Sequence, residues 1–220
     1  MGRFNKAEIV DQLETGLKGA KFRILNEILY RKKEKELNPE LFKKYHEGFK
    51  HQVEKWPFNP LATVIRQLTK ADAKLVIADL GCGEGEIARK FRTRKVYSFD
   101  LIKPEGKNSI IEADIRALPL EDNSVDIAVL CLALMGEDAA PYIAEAWRIL
   151  KPNGVLKIAE IRSRLSKIDH FVKPVISHGF TLLKKDLESN FFCFFDFKKA
   201  GKRSQTLPPI PMKPCVYKKR

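Results

Sequence analysis

Long apolar runs are missing from this chain. No uninterrupted stretch approaches the ~20 residues that a membrane-spanning helix needs, so no membrane partner is expected. Cysteine is sparse, with four residues in 220 (Cys82, Cys131, Cys193, Cys215). None forms a C-x-x-C pair, which argues against a zinc site and a disulfide framework and favours a reducing compartment. The four histidines (His46, His51, His170, His178) show no metal-ligand spacing, so no metal is expected either. Acidic residues vanish at the end of the chain, where residues 198–220 hold eight Lys or Arg and no Asp or Glu. No internal repeat is visible, and no signal-peptide pattern opens the chain. Met1-Gly2-Arg3 begins abruptly enough to expect a piece of a longer protein.

What is present is a glycine turn in a telling place. Val76-Ile77-Ala78-Asp79-Leu80 is an apolar strand, and Gly81-Cys82-Gly83-Glu84-Gly85 follows it directly. Glycines let the backbone approach a ligand where a Cβ would clash. A helix predicted over 86–91 would present free N–H groups to a carboxylate or phosphate. A second apolar run, Val96 to Phe99, ends in Asp100, about 20 residues on, where a carboxylate can take both ribose hydroxyls. A dinucleotide fold wants G-x-G-x-x-G, yet Glu86 occupies the place of the third glycine. The pattern here is Asp79-x-Gly81-x-Gly83-x-Gly85.

A leading Asp with alternating glycines resembles the first motif of class I S-adenosylmethionine-dependent methyltransferases. The pattern continues in order. Glu112-Ala113-Asp114-Ile115 looks like the adenine-binding acidic turn. Val125 to Cys131 is similar to the fourth strand, which ends beside the methyl group. Lys151-Pro152-Asn153-Gly154 precedes a fifth strand.

Strands are predicted over 75–79, 96–99, 109–112, 125–130 and 155–160, alternating with helices, which argues a doubly wound, mainly parallel α/β sheet. The best intervening helix covers 141–150. A helix over 165–178 leads into an antiparallel hairpin, 180–187 and 191–197, turning at Ser189-Asn190. Phe191, Phe192, Phe194, Phe195 and Phe197 read mostly as sheet core and not as a base-stacking platform. Residues 1–70 read as a helical cap with helices over 7–13, 20–30 and from Glu40 toward Trp56, the last started by Asn38-Pro39. The domains are thus 1–70 (cap), 71–200 (cofactor-binding) and 201–220, a basic tail with four prolines (Pro208, Pro209, Pro211, Pro214) expected to be extended.

The net charge is +13. Besides the tail, clusters sit at Arg31-Lys32-Lys33, Lys43-Lys44, and Arg89, Lys90, Arg92, Arg94 and Lys95. Any one run is usually a solvated face, but several in one domain favour a polyanion partner.

The residues reach beyond the superfamily. Gly19-Ala20-Lys21-Phe22-Arg23-Ile24-Leu25-Asn26-Glu27, Tyr45-His46-Glu47-Gly48-Phe49 and Lys55-Trp56-Pro57 in the cap resemble the ribosomal RNA-processing protein 8, or nucleomethylin, family. So do Ala78 to Gly83, Cys131-Leu132-Ala133-Leu134-Met135-Gly136, Phe194-Phe195-Asp196-Phe197, and Lys213-Pro214-Cys215-Val216-Tyr217-Lys218. The resemblance covers nearly the whole chain; the family's long basic N-terminal extension is not matched.

The resemblance implies methylation of N1 of an adenine in large-subunit ribosomal RNA. The cofactor would be S-adenosyl-L-methionine and its product S-adenosyl-L-homocysteine, and the site would be nucleolar, within the nucleus. It also implies an alternative, a cofactor-binding subunit of a chromatin-silencing complex that reads a methylated histone tail at ribosomal DNA. Carried over residue by residue, the cofactor contacts are His46, Gly81, Asp100, Asp114, Ile115 and Cys131. The glycine spacing adds Gly83. A small-molecule methyltransferase is a third reading, which the positive charge disfavours. No catalytic acid or base can be named, and a monomer is expected.

Overall fold

The apolar runs Ile77–Leu80 and Val125–Cys131 become buried central strands of a single sheet. The computed structural model describes residues 20–22, 24–25, 39–54, 56–104 and 106–215. Two units divide the chain, one of residues 1–59 with 215–220 and one of residues 60–214.

In the first unit, helix α1 spans Pro39–Val53. Phe22 stacks on Tyr45 with ring centroids 5.4 Å apart, and Phe49 meets Trp56 edge-on at 5.7 Å. Gly48 makes this packing possible, because a Cβ there would stand 2.8 Å from that of Phe22. The segment expected as a helix over 7–13 lies outside the described residues.

In the second unit, helix α2 (Pro60–Thr69) precedes strand β1 (Ile77–Leu80), the short helix α3 (Glu86–Lys90), β2 (Val96–Asp100) and β3 (Ile110–Glu112). Then come β4 (Val125–Cys131), helix α4 (Ala140–Ile149), β5 (Leu150–Ile161), a 3-10 turn (Arg162–Arg164), helix α5 (Ile168–Ser177), β6 (Phe180–Asp186) and β7 (Phe192–Lys199). The strand order is β3-β2-β1-β4-β5-β7-β6. The first five strands pair in parallel, and β7 inserts antiparallel between β5 and β6. The predicted class, a doubly wound sheet closed by a hairpin, is the one observed. Phe192, Phe194, Phe195 and Phe197 are buried, while Phe191 at the hairpin is exposed. No helix among the described residues is long and apolar enough to cross a membrane.

The two compact units meet at 59/60, whereas the sequence led to a cap over 1–70. Val64 and Leu68 of α2 are buried, and Gln67 accepts a 2.9 Å hydrogen bond from Lys157 of β5, so this helix belongs to the sheet and not to the cap. The described part of the basic tail, residues 201–215, runs extended and is not a separate solvated piece. Ile210 and Met212 are buried, and the segment is tied down by main-chain bonds from Ala139 N–H to Ile210 (2.9 Å), Met212 N–H to Glu137 (2.8 Å) and Ser204 N–H to Ser177 (3.0 Å). Prolines cannot donate, so the strap bonds through the few residues between them. Lys199, counted in the basic run, is likewise buried. Its Nζ donates to Asn123 Oδ1 (2.7 Å) and the Leu150 carbonyl (2.6 Å), and lies 3.9 Å from the Trp147 ring centroid.

Candidate functional site

The strand order reverses at β1, between β2 and β4, and ligands of open α/β sheets settle in the crevice beyond the carboxyl ends at such a point. Here that edge carries Asp79 and Gly81–Gly85 after β1, Asp100 at the end of β2, Asp114 and Ile115 after β3, and Cys131 at the end of β4.

The glycine turn spends its donors internally. Gly81 and Cys82 N–H both donate to the Phe99 carbonyl (2.8 and 2.9 Å), and Gly85 N–H donates to the Cys82 carbonyl (2.9 Å). Gly83 N–H donates to Asp100 Oδ2 at 2.7 Å. The turn thus keeps these four N–H groups for itself, ahead of α3, which has only five residues.

The glycines differ in purpose. A Cβ on Gly81 (φ +78°) would come within 2.6 Å of the Ala133 Cβ and 4.0 Å of the Ile115 Cδ1. Its bareness thus admits the segment after β4. A Cβ on Gly83 (φ +53°) would meet nothing within 4 Å, so this position faces open space, where a ligand can approach main chain. Both positive φ values favour glycine.

Carboxylates dominate the charge. Asp79 and Asp100 are both buried. Asp79 has no hydrogen-bond donor among the described residues, and burial followed by repulsion from Asp100 pushes its pKa up to about 7. Asp79 opens the glycine pattern in the sequence without an assigned role; its signal there is an acid within an otherwise apolar strand. Asp114 is half-buried and clamped by Arg116. Its Oδ1 accepts from the Arg116 N–H (2.9 Å) and Nε (2.9 Å), and its Oδ2 accepts from Nε (3.0 Å) and from Nη2. Ile115 packs against the core below the glycine turn.

Cys131 is half-buried, and burial raises its thiol pKa, with Asp79 and Glu160 adding to the effect. Cys82 behaves alike for the same first reason. Both are neutral fillers and not nucleophiles. His46 falls on α1 in the other unit, and its side chain lies outside the described residues. No group of three His, Cys, Asp or Glu among the described residues could hold a metal ion.

The site therefore offers one open main-chain approach at Gly83, a buried carboxylate with no donor among the described residues, and a second carboxylate beside it. This set suits a ligand that is cationic at one end and carries hydroxyl donors at the other. It suits a pyrophosphate badly, because that ligand needs N–H donors and no adjacent carboxylates.

A family model described as hypothetical methyltransferase matches residues 8–220. The chain belongs to this methyltransferase family. It is 40% identical to ribosomal RNA-processing protein 8 of Dictyostelium discoideum over 97% of the chain and 60% of that protein. It is 41% identical to the 25S rRNA (adenine(645)-N(1))-methyltransferase of Schizosaccharomyces pombe, over 95% of the chain and 71% of that enzyme. The resemblance to the ribosomal RNA-processing protein 8 family read from the sequence is thus confirmed, although the chain spans only about three fifths of the length of the Dictyostelium relative. Among solved structures, a Burkholderia thailandensis 1,6-didemethyltoxoflavin-N1-methyltransferase superposes with a TM-score of 0.60. It shares 15% identity and covers 73% of this chain and 86% of its own, and the likeness extends to the fold.

Proposed function

We propose that this methyltransferase modifies N1 of an adenine in large-subunit ribosomal RNA, with S-adenosyl-L-methionine as donor and S-adenosyl-L-homocysteine as product. One observation carries the reading of the cofactor: two buried carboxylates, Asp79 and Asp100, meet a turn in which the N–H groups of Gly81, Cys82, Gly83 and Gly85 are already bonded. Such a site attracts positive charge. The cofactor supplies a methyl group on a positively charged sulfur, and it also bears an ammonium.

The chain's residues then divide the work. Asp79 balances the positive charge. Asp100, held by Gly83 N–H, accepts from the ribose hydroxyls. Asp114 accepts from the adenine amino group while Arg116 fixes its carboxylate plane, since a carboxylate has about four acceptor sites. Ile115 packs against the ring, Gly83 gives room to the methionine portion, and Cys131 lines the end of β4 as a neutral, nearly apolar group. His46 enters on the family resemblance alone.

The target side is apolar. Cys131-Leu132-Ala133-Leu134 lacks the Asn-Pro-Pro-Tyr type of sequence that holds an exocyclic amine, which favours a ring nitrogen. N1 of adenine has a free lone pair at neutral pH, so no strong base is required, and alignment alone can supply ~7–11 kcal/mol. The Watson–Crick edge must be free, so the target is a flipped or single-stranded base. The relatives' names support ribosomal RNA as the substrate, and the net charge of +13 supports a polyanion. The nucleolus is the compartment where such a substrate is found.

Mapping N1-methyladenosine across ribosomal RNA in cells lacking the protein tests this. Loss of one modified position is expected, restored by the wild type and not by Asp100→Ala. An unaltered map would remove the enzymatic reading and leave a cofactor-binding silencing subunit as the alternative.

A further inference from the structure

The segment after β4 is held in an unusual shape. Leu132 has φ +58°, in the left-handed region that a γ-branched residue rarely occupies, and Gly136 has φ +77°. On one side, Ala133 seats against the bare Cα of Gly81. On the other side stands Arg164, from the 3-10 turn after β5, whose side chain is completely buried. Its guanidinium donates to the Leu134 carbonyl through Nη1 and to the Gly136 carbonyl through Nη2 at 2.9 Å. Nη1 also reaches Glu160 Oε2 at 3.0 Å, and Nε donates to the Lys213 carbonyl at 3.0 Å. The Arg164 main chain completes the tie by accepting from Lys213 N–H at 2.8 Å.

A buried charge of this kind is a poor way to gain stability, because desolvation offsets most of the attraction between the partners. Its value lies in geometry. A planar fork with five donors can fix four acceptors from three separate segments at once. Glu160 lies at the end of β5, beside the end of β4, and supplies the compensating charge.

We propose that Arg164 is a positioning residue for methyl transfer. Its guanidinium sets the path of Leu132–Gly136, the wall that faces the target base, and couples that wall to the C-terminal strap at Lys213. The proposal rests on the function given above, since that reading assigns the segment after β4 to the target. It gives the basic Pro-rich end of the chain a place in the site, as the outer support of the target wall.

The test compares wild type with Arg164→Lys and Gly136→Ala. Lysine keeps the charge beside Glu160 but cannot span four acceptors. Alanine at 136 has room for its Cβ but resists the positive φ, so it moves the same carbonyl without touching the buried pair. For both variants we expect cofactor affinity by calorimetry within about threefold of wild type, with kcat on a ribosomal RNA fragment falling at least tenfold while KM changes little. Amide exchange should rise together at 133–136 and 212–213 in Arg164→Lys and leave β1 and β2 unchanged.

Retention of kcat within twofold in a variant that binds cofactor normally would overturn the role of Arg164 while leaving the function standing. Faster exchange confined to one of the two segments would overturn the coupling. A wild type that binds cofactor and methylates no ribosomal RNA would instead remove the function, and the positioning role with it.

Discussion

Asp79 offers the sharpest quantitative test of the site. A carboxyl group with an ordinary pKa of 3.8 is held near 7 by burial and by Asp100. The folded state therefore binds a proton that the unfolded chain has released. Below pH 3.8 the group is neutral in both states and costs nothing. As pH rises through 3.8 toward 7, stability falls, and above 7 the full penalty applies. About three pH units at 1.36 kcal/mol each give a penalty on the order of 4 kcal/mol.

Asp79→Asn keeps the shape and removes the charge. In the cofactor-free protein it should raise stability above pH 7 by up to that amount, a gain of roughly 10 °C in melting temperature for a chain of this size. The gain should fade as pH drops toward 4. His178 titrates in the opposite sense, because burial lowers its pKa and acid destabilises the fold below its ordinary value of 6.5. The difference between variant and wild type cancels that contribution.

Binding supplies the second half of the test. A cationic ligand should draw Asp79 into its ionised form and release its proton. At pH 6.5 a group with pKa near 7 is about three-quarters protonated, so cofactor binding should release ~0.7 proton per site, and none in Asp79→Asn. Calorimetry in two buffers of different ionisation enthalpy measures this directly. Equal heats in both buffers, or a variant that binds as tightly as wild type, would refute the argument that the carboxylate meets positive charge.

Other outcomes follow from single contacts. Asp100→Ala should abolish measurable cofactor binding by calorimetry, since it removes the ribose acceptor and frees Gly83 N–H; unchanged affinity would eliminate that role. Ile210→Ala, in the strap, should cost roughly 2–4 kcal/mol in chemical denaturation, as for other buried positions, whereas a loose tail would show no loss. Glu145→Ala should cost about 2–3 kcal/mol, because the buried Leu118 N–H loses its acceptor (2.6 Å) and Arg148 loses one of its two carboxylate partners. RNA affinity should drop steeply as salt rises, with a log–log slope near −0.7 per phosphate contacted on a single strand; a flat response would argue against a polyanion.

Some of this was legible because local chemistry and tertiary role coincide. Val125–Cys131 is apolar at nearly every position, so it reads as a central strand and is one. Asn153, at φ +64°, and Gly154, whose Cβ would meet the Lys151 carbonyl at 2.9 Å, were expected to turn ahead of a strand over 155–160, but they form an irregularity inside β5, which already begins at Leu150. Other features were hidden because a side chain's charge says nothing about where its partners are. Arg162-Ser163-Arg164 reads as a polar surface turn, yet Arg164 is buried by acceptors from residues 28–49 positions away as well as by Glu160. The same holds for Lys199 and for the strap, where prolines and cations suggest solvent and the fold supplies buried seats.

By itself, then, the order of residues determined the sheet, its switch point and the presence of acids at the strand ends, because apolar periodicity and glycine placement act locally. The tertiary structure alone decided what each group meets. It turned Gly81 into a seat for Ala133, left Gly83 open, and used the turn's N–H groups internally. It also left Asp79 with no donor among the described residues and made a buried guanidinium the common support of two distant segments. Those properties depend on distances between parts of the chain that sequence separation does not encode.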